Sequence, residues 1–363
     1  MPRPLRNLWL VVFCLLPLSS GTPPHPQTPA AAPSLTPSPK PPDVFLEWKQ
    51  LVGIYDYTAY GTPKQTMIFL EQDQRLYMQP QGHPEKREEI HENDGRVLIN
   101  DPDGRTYVYG EHRAANGSVI DFSYFGALFT RTDAGADPAA FYHITPSKPI
   151  DQLRDTALAA QPPHETGPFH TPDLVELVIL DTAFHLDIRY AKSDNFLSTP
   201  VYSRARAFLQ RPAAQALVRV LHKLGPLGYG LLIHDAYRPW YVTRIFWDAT
   251  PAEGKMFVAD PKKGSRHNRG CAVDLTLYDL ATNKSIEMPG LYDEMSPRSF
   301  PNFPGGTSLQ RWHRDLLRRA MESEGFTVNE DEWWHFDYRD WKSYAILNVP
   351  FEKLSPQRQK GQS

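Results

Sequence analysis

Residues 22–42, TPPHPQTPAAAPSLTPSPKPP, contain nine prolines in 21 positions. Proline has no backbone donor and holds φ near one value, so neither a helix nor a sheet propagates through such a run. The segment reads as an extended, solvated tether, with His25 as a spacer, and it leaves the folded structure to the residues that follow. Ahead of it, Arg3 and Arg6 precede an apolar run, Leu8–Leu18, and the small residues Ser19 and Gly21. That order of charge, apolar core and small residues is the pattern of an export signal over 1–21. The run is short of the ~20 residues that span a bilayer. The expectation is a cleaved leader, a periplasmic or secreted product and no stable membrane span afterwards; a retained anchor is the other reading. Cleavage would remove Cys14 and leave Cys271 as the single thiol, so no internal disulfide is expected despite an oxidising destination.

After the tether, which is taken as 22–43, the text divides in two. From 44 to 132, runs such as GIYDYTAY, QTMIFLE, RLYMQ, RVLIN, RTYVYG and SVIDFSYF are rich in β-branched and aromatic residues. Asn93-Asp94-Gly95, Pro102-Asp103-Gly104 and Asn116-Gly117 supply turn signals between them. A small antiparallel meander or barrel is expected, with no convergent catalytic set; His83, His91 and His112 read as surface or turn residues. Residues 133–170 are richer in Pro, Ala, Asp and Gly and read as a connector with a short helix near Ile150–Ala160. From 171 to 355 the pattern is mixed: LVELVIL and YGLLIHDAY as buried strands, SRARAFLQRPAAQALVRVLHKLG as helical with Pro212 at a boundary, and TSLQRWHRDLLRRAMESEGF as an amphipathic helix capped by Thr307 or Ser308 and stopped by Gly325. The fold class is α+β, a compact domain of antiparallel sheet and helices behind a small β-domain, and 356–363 is a polar tail. With 39 Lys and Arg against 42 Asp and Glu, the chain offers no broad basic surface for nucleic acid.

Chemistry concentrates in two places. GSRHNRGCAVDLTLYD (264–279) places His267 seven residues before Asp274, and EDEWWHFDY (330–338) places Glu332 three before His335. A hydrolytic metal site needs a few protein ligands, an open position and a carboxylate that accepts a proton from water. His267, Asp274 and His335 could be the ligands and Glu332 the base, and a nitrogen-and-oxygen set suits Zn²⁺. Each half alone also has a plain structural reading, as a packed histidine in an aromatic strand or a hydrogen-bonded buried aspartate. His313, in the basic run RWHRDLLRR, reads as part of a solvated helical face. His234 reads as a group behind the site, and Cys271 as a small buried residue without a partner that would activate it.

Together the two halves resemble the VanX-type zinc D-Ala-D-Ala dipeptidases. Ser265, His267, Gly270, Ala272 and Asp274 fit one motif, and Glu332, Trp334 and His335 the other. LDIRYAKSDNFLSTPVY (186–202), HDAYRPW (234–240) and YDEMSPRS (292–299) resemble further family segments in the same order. The likeness runs from about Val175 to Phe351. The two metal motifs alone also occur in VanY-type carboxypeptidases and, more remotely, in hedgehog-like domains. By resemblance, His267, Asp274 and His335 bind one zinc per chain, and Glu332 serves a metal-activated water as general base. Arg238 stabilises the developing oxyanion, with an ion pair to Asp235 as its structural alternative. Asp293 receives the ammonium of a small dipeptide or, alternatively, caps its loop. Ser265 donates a substrate hydrogen bond or orients its own loop. The leader, tether and β-domain depart from the familiar family members. Two other functions stay open: a VanY-like carboxypeptidase or endopeptidase on longer cell-wall peptides, and a silent module that binds such peptides. Retention of Glu332 and Arg238 argues against the silent module. Because every candidate residue lies beyond Ala160, a fragment starting there is expected to fold and act alone.

Overall fold

Residue content and turn chemistry account for the first sheet, whose strands are rich in β-branched and aromatic residues. The computed structural model describes residues 35–58, 63–90, 109–124, 127–133 and 143–354. The expected leader, the first part of the proline run with His25, the strand RVLIN, most of RTYVYG, His91, the turn signals at 93–95 and 102–104, and the polar tail lie outside the described residues. A short helix, α1 (Leu46–Leu51), leads into β1 (Gly53–Tyr57), β2 (Gln65–Gln72), β3 (Arg75–Pro80), β4 (Glu88–Ile90), β5 (Tyr109–Arg113), β6 (Val119–Tyr124) and β7 (Ala127–Arg131). They form one antiparallel sheet in the order β4-β3-β2-β1-β7-β6-β5. Tyr55, Phe69, Phe122 and Phe129 pack edge-to-face or stacked at its centre, with ring centroids 5.1–5.9 Å apart. Asn116-Gly117 turns β5 into β6 as expected, with Gly117 at φ 86°. The β2–β3 turn uses Asp73 and Gln74, both at positive φ (53° and 61°), a two-residue hairpin of the kind whose twist matches its strands.

The second region is α+β. It comprises α2 (Ile150–Ala159), β8 (Leu174–Glu176), α3 (Leu177–Leu180), β9 (His185–Leu186), β10 (Phe208–Gln210), α4 (Arg211–Leu224), β11 (Tyr229–Asp235), α5 (Trp240–Ala249), β12 (Ala272–Asp279), α6 (Ser308–Glu322), β13 (Phe326–Val328) and β14 (His335–Tyr338). The main sheet runs β13-β14-β12-β11-β9; its pairs are antiparallel except β11 with β9. Pro212 marks a boundary: Phe208–Gln210 is strand, and the helix starts at Arg211. Thr307 caps α6, accepting from Gln310 N while the Gln310 side chain accepts from Thr307 N.

Two expectations change here. Residues 35–42 lie along the folded domain, although Ser38, Pro39, Lys40 and Pro42 stay exposed. Leu35 packs on the peptidase core, Trp312 Nε1 donates to Ser38 O at 2.9 Å, and Lys40 Nζ sits 5.2 Å from the Tyr229 ring centroid. His313 and Arg314 are buried and Arg311 half-buried, so this part of the run is not a solvated face, whereas Arg319 is exposed. His313 is buried against Tyr229 OH at 3.0 Å, and burial pushes it down to about 4. Arg311 donates to the carbonyls of Pro304, Gly305 and Gly306, and Arg314 to that of Phe303. Carbonyls in a buried loop must find donors; Arg311 and Arg314 supply them here, beside the Glu71 N–H that also donates to Gly306 O.

The connector contributes to the core as well. Ile150, Leu153 and Ala157 of α2 are buried in the cluster that holds Val242, Ile245 and Phe246 of α5. Burying an aliphatic side chain contributes about 1.5–3 kcal/mol, so a fragment starting near Ala160 gives up two such anchors. It should unfold at a clearly lower temperature than one starting at His143, measured by circular dichroism. Equal midpoints would show that α2 adds nothing.

Candidate active site

Three neighbouring strands bring the polar groups together. In the registers of the main sheet, Asp235 at the end of β11 faces Asp274 on β12, and Asp274 faces His335 at the start of β14. His267 arrives from the turn at Arg266–Arg269, which precedes β12. That turn closes through Gly270 at φ 69°, where an added Cβ would meet Leu174 Cδ2 at 2.5 Å. The positive φ favours glycine there, and a larger residue would also have to displace the end of the Leu174 side chain.

His267 Nε2, Asp274 Oδ1 and His335 Nδ1 converge. The separations are 3.2 Å from His267 to Asp274, 3.0 Å from His335 to Asp274 and 3.0 Å between the two imidazoles. Tetrahedral bonds of ~2.0–2.1 Å place donors about 3.3 Å apart, so the triangle is close to the required size. Proton placement gives a second test. His267 Nδ1 lies 2.7 Å from Ala236 O, and His335 Nε2 lies 3.0 Å from Asp337 Oδ1. Each ring nitrogen facing away thus carries the proton, and the inward nitrogens present lone pairs. Asp274 Oδ1 is buried without a hydrogen-bond partner among the described residues. Three acceptors pointing at one another fit a cation, and a hydrogen-bonded core does not leave that pattern.

The other candidates surround this triangle. Glu332 Oε2 is 3.6 Å from His335 Nδ1 and accepts from Asn329 Nδ2 at 3.0 Å. Burial raises its pKa despite the nearby imidazoles. Arg238 is buried between the rings of Phe246 and Tyr190, with Cζ 4.7 Å and 5.3 Å from their centroids. It binds Asp235 through Nε at 2.9 Å, and its Nη2 stands 3.9 Å from Asp274. The Asp235 pairing and the place beside the site therefore coexist. Ser265 Oγ accepts from His267 N at 3.3 Å, which orients its own loop. Asp293 adopts φ 57° and accepts from Tyr190 OH at 2.8 Å; burial, with Asp274 nearby, raises its carboxyl well above the ordinary value.

A family model described as D-Ala-D-Ala dipeptidase, of the M15 peptidases, matches residues 170–353, half of the chain. The chain belongs to the M15 D-Ala-D-Ala dipeptidase family. It is 34% identical over 181 residues to a D-alanyl-D-alanine dipeptidase of Escherichia coli (strain K12), covering 50% of this chain and 92% of that one. An Enterococcus faecalis protein of the same name is 34% identical over 187 residues, 45% of this chain and 91% of its own. One from Streptomyces coelicolor is 33% identical over 193 residues, 48% and 93% respectively. The dipeptidase match thus leaves the N-terminal sheet outside the family region.

Within the dipeptidase domain several contributors escaped sequence reading. Tyr190 holds Asp293, Tyr292 OH donates to Asp274 Oδ2 at 3.1 Å, and Asp337 fixes His335 while pairing with Arg266 at 2.8 Å. Asp337 had a signal, since residues two apart on a strand share a face; the tyrosines had none beyond lying in family-like segments. His234 is buried behind Tyr292, with ring centroids 4.6 Å apart, and burial pushes it down to about 4. Burial pushes the Cys271 thiol up to about 12, in keeping with an inert packing residue. His83 and His112 are exposed beside Glu85 and Asp121.

Proposed function

We propose that this chain is a zinc-dependent D,D-dipeptidase that hydrolyses free D-Ala-D-Ala and related dipeptides, acting outside the cytoplasm in cell-wall peptide turnover. The observation that carries the reading is the triangle of acceptors, His267 Nε2, Asp274 Oδ1 and His335 Nδ1, with both outward imidazole nitrogens committed to other partners. A two-nitrogen, one-oxygen donor set suits zinc. When bound, zinc supplies Lewis acidity and makes water acidic enough for peptide hydrolysis near neutral pH. Glu332 takes the proton of the attacking water and returns it to the leaving amine. Arg238, held rigidly by Asp235 and two aromatic faces, meets the negative charge that develops on the carbonyl oxygen. Asp293, steadied by Tyr190, takes the substrate ammonium, and Ser265 has a hydroxyl proton left to donate to substrate. The export reading rests on Arg3, Arg6 and the apolar run Leu8–Leu18. Among the described residues no helix is long and apolar enough to cross a membrane.

The test is a panel of D,D-, L,D- and L,L-dipeptides and N-acetyl-D-Ala-D-Ala, assayed with and without a chelator. A buried ammonium left without a counter-charge carries a desolvation penalty of several kcal/mol. The acetylated compound should accordingly be a poor substrate, and Asp293→Asn should lower turnover of the free dipeptide while narrowing that discrimination. Equal cleavage of free and acetylated dipeptides would move the protein to the carboxypeptidase reading, and chelator-resistant activity would remove the metal from the mechanism.

A further inference from the structure

Among the described residues, the N-terminal sheet meets the dipeptidase domain through an apolar cluster, Ile54, Ile68 and Leu70 with Phe303, and through polar joints at Glu71 and at Asp133. At one, Glu71 of β2 accepts from Ser308 N at 2.6 Å, a carboxylate at the start of α6, and Leu70 bridges to Gly306. At the other, Asp133, just beyond β7, lies 3.0 Å from Arg298 Nη1, with the Asp133 side chain fully buried and that of Arg298 only 6% exposed. Asp133 is fixed on the sheet side by Arg131 at 3.0 Å and by the backbone N–H of Ile54. Arg131 is itself held by the carbonyls of Gln50, Leu51 and Val52. The carboxylate is therefore a rigid part of the sheet.

Arg298 belongs to the segment that carries Tyr292 and Asp293. Its Nε donates to Pro289 O at 2.9 Å and stands 3.6 Å from Glu294 Oε2, which in turn accepts from Leu291 N at 2.8 Å. The turn is tight enough that a Cβ on Gly290 would meet Arg298 O at 2.5 Å. Asp293 within it holds φ 57°, left-handed backbone that aspartate adopts in tight turns. From these contacts, we propose that Asp133 and Arg298 are a positioning pair through which the N-terminal sheet fixes the 289–299 loop and so sets recognition of the substrate amine. The inference rests on the dipeptidase reading of Asp293. It assigns the sheet, which lies outside the family region, a part in specificity. Neither residue touches the reacting atoms.

The experiment uses the full chain with Asp133→Asn, which keeps shape and removes charge, and Arg298→Lys, which keeps charge and loses the bond to Pro289 O. Glu71→Gln serves as a control that loosens the other joint. Amide hydrogen exchange over 289–299 should speed up in the first two variants while strands β12 and β14 stay protected. KM for D-Ala-D-Ala should rise on the order of 10-fold, since small displacements of a binding group are costly. Selectivity over N-acetyl-D-Ala-D-Ala should narrow, kcat should stay near the starting value, and zinc content should not change. Glu71→Gln should lower the unfolding temperature without moving selectivity. Unchanged exchange in 289–299 overturns the proposal, as does an equal selectivity change in Glu71→Gln. If the single variants do not fold, the doubly neutral Asp133→Asn, Arg298→Gln chain carries the same measurements, and wild-type exchange in it also overturns the proposal. A starting protein that ignores acetylation sinks the amine reading instead, while the exchange data still decide whether the pair orders the loop.

Discussion

Glu332→Gln is expected to lower dipeptide turnover by about 10²–10⁴-fold, the usual cost of removing a general base, with zinc content and KM little changed. Glutamine keeps the size of the side chain and can still accept from Asn329 Nδ2, now 3.0 Å from Glu332 Oε2. What it loses is proton affinity. Burial raises that affinity above that of an ordinary glutamate, even against the opposing imidazole of His335, and the carboxylate stands 3.6 Å from the inward nitrogen of His335. Steady-state kinetics beside metal analysis would check this. Turnover within tenfold of the starting enzyme would take Glu332 out of the proton transfer.

His335→Ala should have the other large effect, on the metal itself. Catalytic zinc sites use three protein ligands, and this change leaves two. Bound zinc should fall from about one per chain to near zero after dialysis, activity should fall to background, and the stabilisation that a tightly bound ion adds, of a few kcal/mol at saturating metal, should vanish from the melting curve. Asp337→Asn offers a graded comparison. Asp337 orients the His335 ring through the 3.0 Å contact to Nε2, besides pairing with Arg266, and losing such an orienting partner commonly costs roughly 10–100-fold in affinity. Full occupancy in His335→Ala would reject the ligand set.

The parts of the site that could be read from the sequence are those whose spacing is local. His267 to Asp274 crosses one turn into one strand, and Glu332 to His335 one turn into another, so their intervals survive as text. That β12 lies between β11 and β14, which puts Asp235, Asp274 and His335 side by side, is a fact of strand order and has no local mark. Tyr190 lies about a hundred residues from the Asp293 it holds. The misreadings share one cause. A run of arginines on a helix looks solvated unless a neighbouring loop is known to lack partners for its carbonyls, and a proline-rich stretch looks free unless a surface is known to receive it. Trp312 and Tyr229 are the residues that meet Ser38 and Lys40. In the N-terminal sheet the β-branched and aromatic runs marked strands, and Asn116-Gly117 marked a turn. The Asp73–Gln74 hairpin turn carries no glycine to announce it.

The facing of Asp235 and Asp274 across β11 and β12 has a consequence for how this protein can change. Like charges directly opposite on paired strands repel, so the end of the central sheet holds together only as a neutralised assembly. Arg238 is part of that assembly, binding Asp235 and standing 3.9 Å from Asp274. A substitution that made this corner apolar could make the sheet more robust, but it would release the guanidinium from the place where the proposed hydrolysis uses it. Selection for heat resistance and selection for turnover should therefore pull this corner of the sheet in opposite directions.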